Sequence, residues 1–213
     1  MHLVVSVCRV LASRSRLRLL RVIHEQPGLT VEALASAAAL SVPVASRHLS
    51  SLANYQLAQA TPGGRYVRYA PARPRSTSHR FLLEMQAYLQ DMLGAQQPAG
   101  VLANVCAEAV EPTWTAVHDA LIKLFTAYTH LRRLFLLRYL ARRGASTVEQ
   151  LCAQLNMSAA AAHRHLHKLQ RRGLLMSSAD SNSWMMATHL KPSGQRRLLA
   201  IVMRAVQSHG EGK

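Results

Sequence analysis

Residues 42–57, VPVASRHLSSLANYQL, return 117 positions later as residues 159–174, AAAAHRHLHKLQRRGL, with no gap between the two copies. At that offset Arg47 meets Arg164, His48 meets His165, Leu49 meets Leu166, Leu52 meets Leu169 and Leu57 meets Leu174. The match extends upstream. Thr30, Val31 and Glu32 meet Thr147, Val148 and Glu149, Leu34 meets Leu151, and Ser41 meets Ser158. Arg16-Leu17 meets Arg133-Leu134, and Leu19-Leu20-Arg21 meets Leu136-Leu137-Arg138. An ungapped match of this length is an internal repeat, and its period is too long for a solenoid unit. The chain is therefore expected to be one domain written twice, which its 213 residues accommodate. The segment Gln96-Gln97-Pro98-Ala99-Gly100 is the most linker-like, so the expected division is 1–96, a linker over 97–110, and 111–213.

Hydrophobic spacing predicts a mainly α fold with small β-hairpins. In the first copy, helices are expected over 2–12 and 14–25, the second capped by Ser13 and stopped by Pro27-Gly28. A short helix capped by Thr30 and a longer one capped by Ser41, with Pro43 in its first turn, form a helix-turn-helix. A hairpin follows directly, with strands over 57–60 and 65–69 and a turn at Thr61-Pro62-Gly63-Gly64. Such a hairpin is a wing. Residues 71–74 break the chain, and a helix over 78–93 closes the copy. The second copy repeats the plan with helices over 113–128 and 130–143, a helix-turn-helix over 147–172, a wing over 174–188 turning at Asp180-Ser181-Asn182, and a last helix over 193–207. The apolar segment 101–110 reads as helical, without firm bounds. The expected class is thus two tandem winged helix-turn-helix domains.

Charge then narrows the partner. Lys and Arg number 26 against 10 Asp and Glu, a net +16 that favours a polyanion. Residues 111–213 carry 15 basic and 5 acidic side chains, residues 1–110 carry 11 and 5, so the second copy should grip phosphates more strongly. On the second helix of each helix-turn-helix, Ala45, Leu49 and Leu52, and likewise Ala162, Leu166 and Leu169, form a core stripe. The opposite stripe holds Pro43, Ser46, Arg47, Ser50 and Asn54 in one copy, and Ala160, His163, Arg164, His167 and Arg171 in the other. Small, hydrogen-bonding and guanidinium side chains in that arrangement suit the major groove of duplex DNA. The candidate contacts are Ser46, Arg47, His48 and Ser50 with Arg65 and Arg68 on the first wing, and His163, Arg164, His167, Lys168 and Arg171 in the second copy.

Other chemistries find less support. His163 and His167 stand at ligand spacing with His165 between them, but no nearby acid or cysteine completes a site, so no metal and no cofactor is assigned. The chain contains no dinucleotide-binding glycine motif, no phosphate-loop lysine and no His-Glu-x-x-His, and it is read as a non-enzyme. Cys8, Cys106 and Cys152 are too few and scattered for a disulfide frame. No apolar run reaches the ~18 residues a membrane span needs. The apolar N-terminus is broken by Arg9 and reads as a core helix of a cytoplasmic, nucleoid-associated protein.

Residues 11–23, 29–52 and 63–71 of the first copy resemble an ArsR-type winged-helix regulator. The most specific parts are Ser46-Arg47-His48-Leu49 and the wing sequence GGRYVRYAP; the second copy resembles the family more loosely, with His163 in place of the serine. The resemblance implies operator binding, transcription regulation, most simply repression, and pairing through terminal helices. The family's metal-sensing cysteine pair is missing: Ala35 and Cys152 stand where it would lie. Two arrangements satisfy the pairing, an internal pseudo-dimer of the two copies or a homodimer. Two further readings stay open at this point: a winged-helix module for protein–protein contact, and a sensor with a ligand or metal between its copies.

Overall fold

A computed structural model describes residues 1–73, 79–178, 182–190 and 192–207. In chain order the elements are α1 (His2–Leu11), α2 (Arg14–Glu25), β1 (Leu29–Thr30), α3 (Val31–Ala37), α4 (Val42–Asn54), β2 (Ala58–Gly63), β3 (Tyr66–Pro71), α5 (Arg80–Leu93) and α6 (Pro98–Val105). Then come α7 (Trp114–Thr126), α8 (Leu131–Arg143), β4 (Ser146–Thr147), α9 (Val148–Leu155), α10 (Ala159–Gln170), β5 (Leu175–Ser178), β6 (Ser183–Met186) and α11 (Ser193–Gln207). The fold is mainly helical with two small antiparallel sheets, and it is that of two tandem winged helix-turn-helix domains. The repeat governs the backbone. Each of α8, β4, α9, α10, β5 and β6 starts 117 residues after α2, β1, α3, α4, β2 and β3 respectively. The register is lost only outside this block, at the first and last helices.

Left-handed backbone repeats too. Ala39 (φ 48°) and Asn156 (φ 46°) make the same turn between the paired helices, and Gln56 (φ 55°) and Gly173 (φ 68°) make the same turn after α4 and α10. Thr30 caps α3 by accepting from Ala33 N at 3.4 Å, while Thr147 and Gln150 form a full capping box at the start of α9. Ser158 caps α10 by accepting from Ala161 N at 3.3 Å. Ser13 and Ser41 occupy the expected cap positions without making a side-chain hydrogen bond. Two caps absent from the sequence reading are histidines: Nδ1 of His79 accepts from Phe81 N and Nδ1 of His130 from Arg132 N, each at 3.1 Å.

Each sheet has three strands, ordered β1-β3-β2 and β4-β6-β5. The sequence reading missed β1 and β4, which are two residues long. It also placed the first wing's turn too early. Pairing continues through Thr61↔Arg68 and Pro62↔Val67 to Gly63↔Tyr66, so the reversal is Gly64-Arg65, with Gly64 at φ 65°. Proline is tolerated inside β2 because β2 is an edge strand whose missing N–H costs the sheet nothing. The expected chain break at Pro74, the helix start at Ser78 and the turn residues Asp180 and Ser181 lie outside the described residues.

The chain divides into two compact units, Val10–Ile122 and Met1–Arg9 with Lys123–Lys213. In the 10–122 unit, Leu17, Leu20, Ile23, Leu34, Leu49, Leu52, Met85 and Leu89 form the centre of the core. The residues of α7 that belong here are tied to α2: the Arg21 guanidinium lies 3.7 Å from the Trp114 ring centroid, and Arg14 pairs with Asp119. The α6 helix, with Pro98 in its first turn and Val101, Leu102 and Val105 buried, occupies most of the expected linker. In the other unit, Leu134, Leu137, Leu151, Leu166, Leu169, Leu198 and Val202 are fully buried. Residues 1–9 belong to this unit; Val4, Val5, Val7 and Cys8 are buried, and Arg9 Nε donates to Thr129 O at 3.0 Å.

Candidate nucleic-acid interface

The geometry of each recognition helix follows from its apolar stripe. Ala45, Leu49 and Leu52 are fully buried, as are Ala162, Leu166 and Leu169, which turns the opposite stripe outward. All ten residues of the two outward stripes, from Pro43 to Asn54 and from Ala160 to Arg171, are exposed. Ser46, Arg47 and Ser50 share one face of α4, and His163, Arg164 and His167 share one face of α10, with Arg171 following at its C-cap. The C-terminal end of each helix is held by a buried glutamine, from α5 in one copy and from α11 in the other. Gln86 Nε2 donates to Gln56 O at 2.6 Å, and Gln195 Nε2 donates to Arg172 O. These glutamines, 8% and 7% exposed, went unseen in the sequence because they do not occupy equivalent repeat positions.

The candidate residues are not all alike in their freedom. Arg65 is exposed at the wing's reversal. Arg68 is exposed as well, but it sits within β3 and its Nη1 donates to Gly28 O at 3.0 Å. Ser50 hydrogen-bonds the hydroxyl of Tyr69, whose pKa is raised because burial outweighs that bond. His48 is half-buried and lies off the outer face, with its pKa lowered by burial and then by Arg16 and Arg47. His167 is exposed yet braced: its ring stacks on His163 at 6.0 Å, meets Trp184 edge-on at 5.2 Å, and its Nδ1 lies 3.3 Å from Gln170 Oε1. Gln170 in turn donates to Ser177 Oγ at 3.1 Å, joining α10 to the wing strand β5. Lys168 is half-buried on the flank, with its pKa lowered by burial and by Arg172, Arg171 and Arg133.

Behind α10 stands a cluster that the sequence reading did not use. Arg133 is 9% exposed, and its Nη2 donates to Thr126 O at 2.9 Å and Thr129 Oγ1 at 2.8 Å. Arg172 donates to Thr126 Oγ1 at 3.2 Å. The signal was available, because Arg133 is the repeat twin of Arg16 and His165 the twin of His48. The His165 ring lies 4.5 Å from that of His130. Burial, then His130, Arg133, Arg132 and Arg164, push the His165 pKa down to about 4. In the 10–122 unit, burial and then Arg18 and Arg21 push His118 down to about 4 as well.

These two histidines set a pH dependence. An unfolded histidine takes its proton near pH 6.5, whereas these resist it until about pH 4 in the fold. Between those values the unfolded chain binds more protons, so their contribution to stability is full above about pH 6.5 and is lost as pH falls toward 4. The melting temperature is expected to drop by several degrees from pH 7 to pH 4.5. Replacing both residues, His118→Gln with His165→Gln, should flatten that drop; an unchanged profile would count against this assignment.

Among the described residues, no group of three or more His, Cys, Asp or Glu is placed to hold a metal ion. No helix among them is long and apolar enough to cross a membrane.

Comparison with protein families agrees with the repeat. Residues 11–55, spanning α2 to α4, match the helix-turn-helix domain model, and residues 130–181, from α8 through β5, match the MarR family model. Both are DNA-binding regulator families rather than enzyme families, so the chain carries two helix-turn-helix domains of a transcription regulator. No curated protein matches the chain.

Proposed function

We propose that this protein is an ArsR-like repressor that grips an operator with α4, α10 and its wings. The observation that carries the reading is the pair of outward stripes: two helices in register at one offset, each with every outer residue exposed and with Arg47, Arg164 and Arg171 among them. Arg65 on the first wing adds a cation beside the first stripe. Ser46, Arg47, Ser50 and Arg65 act in the first copy, with His48 steadying α4 from its flank. In the second copy His163, Arg164, His167 and Arg171 face the duplex, and Lys168 lends charge from the side. The ArsR likeness rests on the first copy's Ser46-Arg47-His48-Leu49 run and Gly-Arg wing; the second copy's MarR match supports a winged helix there without narrowing the subtype. Such a protein acts in the cytoplasm, on the nucleoid.

The test is a duplex titration against salt. Each phosphate neutralised contributes a log–log slope of about −0.9, so six or more contacts cost about 10³-fold in affinity between 50 and 200 mM salt. A fluorescent genomic duplex that fails to bind at low salt, or binds with no salt dependence, would sink the proposal.

The two outward stripes differ in composition, so one chain using both would prefer an asymmetric pair of half-sites rather than a palindrome. A solution mass near 23.5 kDa is the expected result. A mass of twice that, unchanged on dilution, would replace the internal pair with a homodimer.

A further inference from the structure

The repeat allows each face of one copy to be compared with its twin, and one pair of faces differs in what covers it. In the 10–122 unit, the face of α2 that bears Arg14, Arg18 and Arg21 is occupied. Trp114 lies against the Arg21 guanidinium, Asp119 pairs with Arg14, and His118 is 4% exposed beside Arg18 and Arg21. Arg21 also pairs with Glu25 at 3.0 Å, so two of the three guanidinium groups on this face are paired with carboxylates. The occupant is a helical stretch that presents an aromatic ring and a carboxylate.

The twin face of α8 is only partly covered: Arg138 and Tyr139 are half-buried, and the charge of Arg138 reaches the Met1 amine. Phe135 stands where Arg18 does and is 41% exposed, and Arg138 stands where Arg21 does. With Tyr139, Arg142, Arg143 and Leu155 they line a groove of about 410 Å³ between α8 and α9. The position of Glu25 is taken by Arg142, so the stabilising pair one turn apart becomes a pair of like charges. Among the described residues, no acidic side chain lines the groove. Two rings beside three guanidinium groups make a surface that takes aromatic side chains by ring and cation–π contact and carboxylates by charge-assisted hydrogen bonds. None of its lining residues belongs to α10.

We infer that this α8–α9 groove docks a helical segment of a protein partner that carries an aromatic side chain and neighbouring carboxylates. The twin face shows the mode: an aromatic ring on the guanidinium at the position of Arg138, and an acid supplied from outside the helix. The site is independent of the duplex-binding stripes, so a regulator on DNA would keep it available for a partner.

The probe is a fluorescein-labelled peptide of residues 111–124, EPTWTAVHDALIKL, which is the stretch that fills the twin face. Fluorescence anisotropy with the full chain should show saturable binding, weakened at least tenfold by Phe135→Ala and by Arg138→Glu. A peptide with Trp114→Ala should bind at least tenfold more weakly. Both protein variants alter exposed or half-buried side chains, and melting curves check that they fold. Phe135→Ala leaves the charge unchanged, so its effect is separate from general attraction to anions. Absence of saturable binding, or binding indifferent to Phe135→Ala, overturns the proposal. So does loss of binding on Arg21→Ala, which would place the peptide at the twin face. A comparable loss of oligonucleotide affinity in Phe135→Ala would make the groove a nucleic-acid surface instead, and a two-chain solution mass that falls to one chain in Phe135→Ala would make its occupant a second copy.

Discussion

A chain lacking residues 2–9 is expected to lose the fold of residues 123–207 while residues 10–122 remain folded. The deleted stretch belongs to the unit at the far end of the sequence, where Val4, Val5, Val7 and Cys8 are between 0 and 4% exposed. Each buried side chain of this size contributes roughly 1–3 kcal/mol. Four of them approach the ~5–15 kcal/mol that holds a typical domain together. Removing them also exposes the apolar surfaces they cover, so the remaining core cannot simply close over the gap. The two tryptophans report the units separately, Trp114 from the 10–122 unit and Trp184 from the other. The emission of Trp184 should shift to that of a solvated indole, and proteolysis should cut within α8 to α11. Native Trp184 emission and intact protection of that segment in the deleted chain would refute the expectation.

The double change Arg164→Ala with Arg171→Ala is expected to weaken duplex binding by about 30- to 10⁴-fold, at about 1–3 kcal/mol for each lost base or phosphate contact. Arg47→Ala alone should cost about 5- to 150-fold by the same measure. The asymmetry follows from the outer stripes: α4 presents one arginine and two serines, whereas α10 presents two arginines and two histidines. All three arginines are exposed, so melting temperatures should hardly move. Anisotropy titrations at one fixed salt concentration make the comparison. Equal losses, or a greater loss from Arg47→Ala, would reverse the ranking of the copies.

Much of this was legible in the sequence because local signals and the repeat agreed. The helices over 14–25 and 193–207 were placed to the residue, and the core stripes Ala45-Leu49-Leu52 and Ala162-Leu166-Leu169 are buried as their spacing demands. The wing reversal was misplaced because Pro62-Gly63 carries turn chemistry, yet an edge strand can absorb it and pairing runs on to Tyr66. The apolar segment 101–110 reads as helical without firm bounds; the structure starts α6 earlier, with Pro98 in its first turn, and buries Val101, Leu102 and Val105. Strands β1 and β4 are too short for any alternation to show; only their partners β3 and β6 define them. Longest-range features were the least visible. Nothing local in residues 1–9 says that they belong with residues 123–213. Nor does an offset of 117 reveal Gln86 and Gln195, which hold carbonyls one residue out of register, those of Gln56 and Arg172, from different turns of their helices. The charge of Arg133 suggests solvent, whereas the carbonyl of Thr126 and the hydroxyl of Thr129 hold it inside.

The two wings differ in what they offer to a stranger. Both β2 and β5 lie at the open side of their sheets, with one row of backbone groups unpaired. In β2, Pro62 interrupts that row, since it has no N–H to give, and an incoming strand cannot zip past it. In β5 no proline intervenes, and Met176 is 42% exposed on the strand. Only its length of four residues limits what could be templated there. In a crowded solution the two halves of this chain therefore carry unequal risk: the first wing is sealed against clumping, and the second is where strand-on-strand aggregation would take hold.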